Sequence, residues 1–436
     1  MSHFVNFGKA KSALPVFVLL ASSVTATLVA CSSSDTTAGD GTPSTTGEDS
    51  GSPSTVVPEA ASPDANDSSV DEASTDAGSD ADADFDAAPR TCSNDNFCYS
   101  TVPAGENLRG VWGDGHGVVW TISTSGDVLR WDGNAWNVQA TGLGNLTAIS
   151  GTSPTDVWVV NAAGAVYHGT GANPAALTFA PVTFPGDATL VIKYVGGSSP
   201  TDVWAVGGKQ VGYPYVSTGR ALHFDGTLDD TGAPVWTADA DLAALPNMYT
   251  RVSVTPGGGV VLVGSSSFNS TTGMYRGSAK TGTVVRRAPG GSTWITEDIP
   301  TAVPDAPPYP ATFIAASVNN DGSLWLIGNS AFGSGRFRWL GTTADNGQTY
   351  KWTASTQYSW DPAATGVWGA AGNDAWEIGS YGHMQHWDGT TWLQASVMVT
   401  SAPLSKTFYA IWGTSSHDFW AVGDELAIHK TTANKP

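Results

Sequence analysis

The sequence is short of charge, of bases and of cysteine. Only 13% of its 436 residues are charged, and 19 bases stand against 39 acids, for a net charge of −20. Without a basic stripe, no nucleic-acid partner is expected. Three cysteines, Cys31, Cys92 and Cys98, are too few for a disulfide-dense scaffold. No second ligand pair follows Cys92 and Cys98 at metal-site spacing, so no metal centre is expected either. The N-terminal apolar run, residues 13–30, is diluted by Ser22, Ser23, Thr25 and Thr27. It falls short of the roughly 20 strongly apolar residues of a membrane-spanning helix.

That run is better suited to export. Lys9 and Lys11 precede it, and it ends in Leu28-Val29-Ala30-Cys31. The ending resembles the lipobox of bacterial lipoproteins, which implies a signal peptide over 1–30 and lipid attachment at Cys31. Ser32 follows the cysteine, and by the sorting pattern of such lipoproteins this points to the outer membrane or cell surface. Residues 31–91 then form a Ser/Thr/Asp/Ala-rich tether. Its 14 acids and one base give −13, so most of the chain's acidity lies there. Such a composition cannot bury enough apolar surface to offset chain entropy, and disorder is expected. About 60 residues span on the order of 40 Å as a flexible coil, enough to hold a domain off a membrane. Asp80, Asp82, Asp84 and Asp86 alternate like a calcium loop but lack its glycine and closing glutamate, leaving a solvated tether. In an exported protein, Cys92 and Cys98 are expected to form a small-loop disulfide.

All 18 tryptophans follow residue 92, and they recur in register. A strand ending in Trp-Gly or a small equivalent (LRGVWG, 108–113; IKYVGG, 192–197; YAIWG, 409–413) precedes a DVWAVG-like strand. The second strand carries Trp120, Trp158, Trp204, Trp325, Trp376 or Trp420, with Leu262 in the fourth unit. A third strand ends in aromatic-Asp-Gly, a tight-turn pair, and a fourth opens with Trp. Four short strands per unit at this period are the signature of a β-propeller over 92–436. Seven blades are expected: 108–142, 146–182, 192–240, 250–299, 312–357, 364–398 and one from 408. The seventh stops early, so residues 98–102 are the expected donor of its missing outer strand. The pattern resembles the Trp-rich propeller repeats of myxobacterial lipoproteins. It is more distantly similar to Asp-box (sialidase-like) and photosystem-II-assembly-factor-like propellers.

Register also sorts the chemistry. His168, His223, His386 and His429 recur once per unit, as do Asp156, Asp202, Asp374 and Asp418. Packing and turn-capping explain recurrence better than catalysis, and no catalytic residue is assigned. Residues 231–236 are similar to a docking motif of quinoprotein propellers, but Leu228 stands where that motif has Asp, and no cofactor is expected.

Departures from the repeat are more informative. Extra length collects at 207–220, 264–276 and 328–336 and in the connector 299–311, all on one face of a propeller. These segments and their ends carry Tyr213, Tyr215, Arg220, Phe268, Tyr275, Arg276, Tyr309, Phe332 and Arg336, with His383 nearby in unit six. Aromatics offer stacking area and Arg or His can bind hydroxyls or carboxylates. The expectation is a monomeric, lipid-anchored binding module for a protein or glycan ligand. A hydrolase or lyase with carboxylates such as Glu297, Asp298 or Asp305 at the channel mouth is the alternative, and an envelope-assembly scaffold a third.

Overall fold

Strands of two to ten residues organise the chain from residue 92 onward. The structure, a computed structural model, describes residues 92–212, 216–266, 281–300, 311–330, 336–357, 363–398 and 404–432. They form seven four-stranded antiparallel sheets. The inner strands are Leu108–Gly113, Leu146–Ser153, Ile192–Ser199, Asn247–Val254, Ala311–Val318, Ala364–Ala371 and Phe408–Ser415. Each contacts the next and the last contacts the first, which closes a ring of seven blades around an axis. The expected β-propeller is therefore the fold.

Six blades are consecutive in sequence, whereas the seventh borrows its outer strand from the N-terminus. Phe97–Ser100 pairs with Leu426–Thr431, one residue earlier than expected at its start. The Trp136 indole donates to Ser100 Oγ at 3.0 Å, tying blade one to this seam. Cys92 and Cys98 are disulfide-bonded, so the borrowed strand is clamped to the segment before it.

Each anchor tryptophan works between blades. In blade two, Trp158 stacks on His168 of its own blade, with ring centroids 3.7 Å apart, and meets Trp236 of blade three edge-on at 6.0 Å. Trp204 stacks on His223 and meets Trp294, and Trp420 stacks on His429 and meets Trp131 and Trp136. Aromatic pairs of this kind contribute about 0.5–1.5 kcal/mol each beyond area burial. The recurring aspartate holds the histidine. His168, His223, His386 and His429 place Nε2 at 2.9, 2.7, 2.8 and 2.7 Å from Asp156, Asp202, Asp374 and Asp418. These aspartates were expected as turn caps, but their main partner is the ring one strand away.

The Trp-Gly phrase has a related cause. A Cβ added to Gly151 would lie 2.4 Å from the Trp112 ring, and one added to Gly113 would lie 2.4 Å from the Trp412 ring. Trp112 and Trp412 therefore lie against the glycine of the following blade. Where this aromatic code lapses, ion pairs substitute. Arg286 of blade four pairs with Glu297, whose other oxygen accepts from the Trp352 indole of blade five at 2.7 Å. Arg338 of blade five forms a bidentate pair with Glu377 of blade six, at 2.6 and 3.0 Å, and lies over the Trp392 ring.

A cation-lined axial cavity on the insert-bearing face

Every inner strand is bulged at the same point. Pairing with the second strand slips between Leu108 and Gly110, and at the equivalent step in the six other blades. The extra residue in each blade is Arg109, Thr147, Lys193, Thr250, Ile314, Thr365 or Tyr409. A β-bulge re-aims a side chain out of the ordinary alternation. All of these except Ile314 line one cavity of about 410 Å³ on the ring axis. Two of the three threonines repair the slipped ladder: Thr147 and Thr250 donate from Oγ1 to second-strand carbonyls, those of Val160 and Val263, at 3.3 and 3.2 Å. Thr365 Oγ1 is 2.5 Å from the Phe408 carbonyl of the next blade, closer than the 3.3 Å to Ile378 of its own.

The lining carries three cations, Arg109, Lys193 and Arg251, and among the described residues no acid. Arg109 is braced from outside the lining. It pairs with Asp424 at 3.2 Å and lies 3.6 Å over the Tyr409 ring, whose hydroxyl also reaches Asp424. Arg251 donates to the Ala316 carbonyl at 3.2 Å and sits beside Tyr194. Among the described residues neither Arg251 nor Lys193 has a carboxylate partner. A second axial cavity of about 500 Å³ lies at the opposite end, next to Asp114, Asn320 and Thr414. Val111, Ile149, Tyr194, Arg251, Val367 and Ile411 border both, and all but Tyr194 and Arg251 make an apolar waist between them.

The cationic cavity is on the face carrying the long loops, because it is lined by the starts of the inner strands and by Asn161 and Ala162, in the turn between second and third strands. The same face bears the lengthened hairpin of blade three, Asp202–Val211 with Val216–Phe224, so most of 207–220 is strand and not loop. It also bears Tyr381, 74% exposed and held at φ 55, ψ 39 within the turn Ser380–Gly382. A non-glycine residue in the left-handed region costs free energy that surrounding structure must offset, and such residues gather at functional sites.

The residues singled out from sequence are distributed differently. Tyr213, Tyr215, Phe268, Tyr275, Arg276, Tyr309 and Phe332 lie outside the described residues, as do Cys31 and Asp305. Arg336 opens the third strand of blade five, Arg336–Thr342. Arg220 lies within a strand and binds the carbonyls of Leu190 and Pro185, fastening the connector between blades two and three. His383 is 4% exposed and its Nε2 is 3.1 Å from the fully buried Glu377, beside Arg338, so it belongs to the blade interface. Glu297 is committed to Arg286 and Trp352, and Asp298 is exposed. Sequence reasoning passed over Arg109, Lys193, Tyr194, Arg251, Tyr381 and Tyr409. A signal was present for the first two: each is the lone charged residue in an inner-strand phrase, LRGVWG or IKYVGG.

Fold and site together define a seven-bladed propeller with a polar, cationic axial mouth. No known protein family and no curated protein matches the sequence. Solved structures do. One, of YCF48 bound to D1 peptide, is 15% identical, covers 79% of this chain and 99% of that chain, and has a TM-score of 0.51. Another, of YCF48 from Cyanidioschyzon merolae, is 13% identical over 78% of this chain and all of that one, with a TM-score of 0.54. YCF48 is a photosystem II assembly factor, so the distant likeness to propellers of that kind is borne out in the fold.

Proposed function

We propose that this protein is a non-catalytic binding module, held at the cell envelope by a lipid on Cys31, that captures a macromolecular ligand on the face where the cationic cavity opens. The observation that carries the reading is the bulge ring. Of seven equivalent positions three are threonine and the other four, Arg109, Lys193, Ile314 and Tyr409, all differ, and three cations converge around the upper cavity in a chain of net charge −20. Residues kept for blade packing repeat, whereas these four do not. A propeller of the same fold solved with a bound peptide supports a recognition role. The carboxylate most suited to the enzymatic alternative, Glu297, is occupied by Arg286 and Trp352.

The test is a panel of glycans and peptides presented to the purified chain, with Tyr381→Ala as the upper-face variant. Binding should weaken in that variant and persist when Asn320, at the opposite mouth, is changed to Ala. The reverse pattern would place the ligand on the other face, and turnover of any glycan would overturn the non-catalytic reading. Cys31→Ala should abolish fatty-acid labelling and release the protein from membranes.

A further inference from the structure

We infer that the upper axial cavity binds a carboxylated sugar, the uronate-type end of an acidic glycan. The inference rests on the proposed binding face and assigns it a ligand class. Its donors are Arg109, Lys193 and Arg251, contributed by blades one, three and four. Arg109 is oriented by Asp424 and Tyr409, while Lys193 and Arg251 face the cavity without a carboxylate among the described residues. Away from bulk water an anion gains more from such cations, and guanidinium–carboxylate pairing is directional.

The acceptors make the choice of ligand narrower. Thr147, Thr250 and Thr365 have committed their hydroxyl hydrogens to main-chain carbonyls, so toward the cavity each Oγ1 can only accept. A small anion such as phosphate brings at most two hydroxyl donors, too few for the three inward threonine lone pairs. A carboxylated pyranose brings a carboxylate for the cations and hydroxyl donors for the threonines. Its C–H face matches the apolar waist of Val111, Ile149, Val367 and Ile411. A cavity of about 410 Å³ is at the small end for ligand clefts, which suits the end of a chain and not its length. An acidic peptide side chain carries the carboxylate, but its donors are main-chain N–H groups that stay outside so narrow a site.

The experiment is calorimetric titration of the full chain at low salt with four probes: digalacturonate, its neutral counterpart digalactose, inorganic phosphate and an Asp/Glu hexapeptide. Digalacturonate should bind, and digalactose should be weaker by at least about tenfold, the scale of a charge-assisted hydrogen bond. Lys193→Gln should weaken digalacturonate about tenfold with unchanged thermal stability, and Lys193→Arg should restore most of it. Phosphate binding as tightly as digalacturonate would reduce the cavity to a simple anion site and overturn the sugar assignment. Hexapeptide binding that is lost in Lys193→Gln, with no uronate binding, would overturn the sugar class while leaving the binding face intact. Digalacturonate binding that ignores Lys193→Gln would place the sugar elsewhere. Failure of all four probes would overturn the assignment, and the face itself would then stand or fall on the Tyr381→Ala panel.

Discussion

Gly151→Ala should destabilise the ring through a contact that neither residue's own blade makes. The added methyl would lie 2.4, 2.6 and 2.7 Å from three ring carbons of Trp112. Carbon atoms pack best at about 3.5–4.0 Å, so the indole must withdraw by about 1 Å or the two blades must part. Overpacking of this kind costs about 1–3 kcal/mol, which in a domain of this size lowers the melting temperature by a few degrees. Trp112→Leu alone should also destabilise, by loss of buried ring area. The double variant is the decisive one, because the smaller leucine leaves room for the new methyl. Its cost should fall below the sum of the single variants by about 1–2 kcal/mol. Urea unfolding followed by far-ultraviolet circular dichroism measures all three without relying on the altered tryptophan. A Gly151→Ala protein within about 0.5 kcal/mol of the parent, or strict additivity in the cycle, would refute the account of the Trp-Gly phrase.

Two further outcomes follow from the blade interfaces. Glu377→Gln removes the buried carboxylate that Arg338 grips and should destabilise by about 3–5 kcal/mol in the same urea assay; parity with the parent would dismiss the pair. Acid should loosen the aspartate–histidine contacts. Burial alone would raise the Asp156 carboxyl, but the His168 hydrogen bond and charge, with donors from Thr152 and Trp158, outweigh it and hold the group below the ordinary carboxylate range. Asp202 and Asp418 are lowered likewise, by Ser198 and His223 against burial in one and first by His429 in the other. Groups lowered in the folded state stabilise fully above their unfolded value near 4, and that stabilisation is lost as pH falls through the lowered values. Thermal unfolding between pH 5 and pH 2 should show this loss, with a shallower slope in Asp156→Asn; an unchanged slope would exclude Asp156 as a contributor.

The ring was legible because its packing is periodic. Trp158, Trp204 and Trp420 meet the same kind of neighbour in each blade, so one physical requirement is written several times in sequence. Even the borrowed outer strand could be located, since the last unit visibly lacked one. What recurrence could not show was partner identity. Asp156 looked like a turn residue because its histidine lies twelve positions away, across a strand pair. His383 looked like a surface residue because its partner, Glu377, lies on the preceding strand and is shared with Arg338 of the neighbouring blade. The cavity escaped for a different reason. A strand read by alternation gives Arg109 and Lys193 no special status, and only the bulge, a property of pairing and not of composition, turns them toward the axis.

The seam between the two chain ends bears on how a copy of this protein is completed. Ser100 is held from further along the chain: its hydroxyl accepts from the Trp136 indole and donates to the Ala427 carbonyl, 327 residues onward. The first of the described strands to leave the ribosome therefore waits for the last of them, with an unpaired edge of the kind that recruits foreign strands. A copy truncated before Leu426 would carry Phe97 with no sheet to enter and a final blade open along its length. Such a copy is exposed to proteases where a finished one is sealed. Closure through Phe97–Ser100 thus ties completion of the seventh blade to synthesis of Leu426–Thr431.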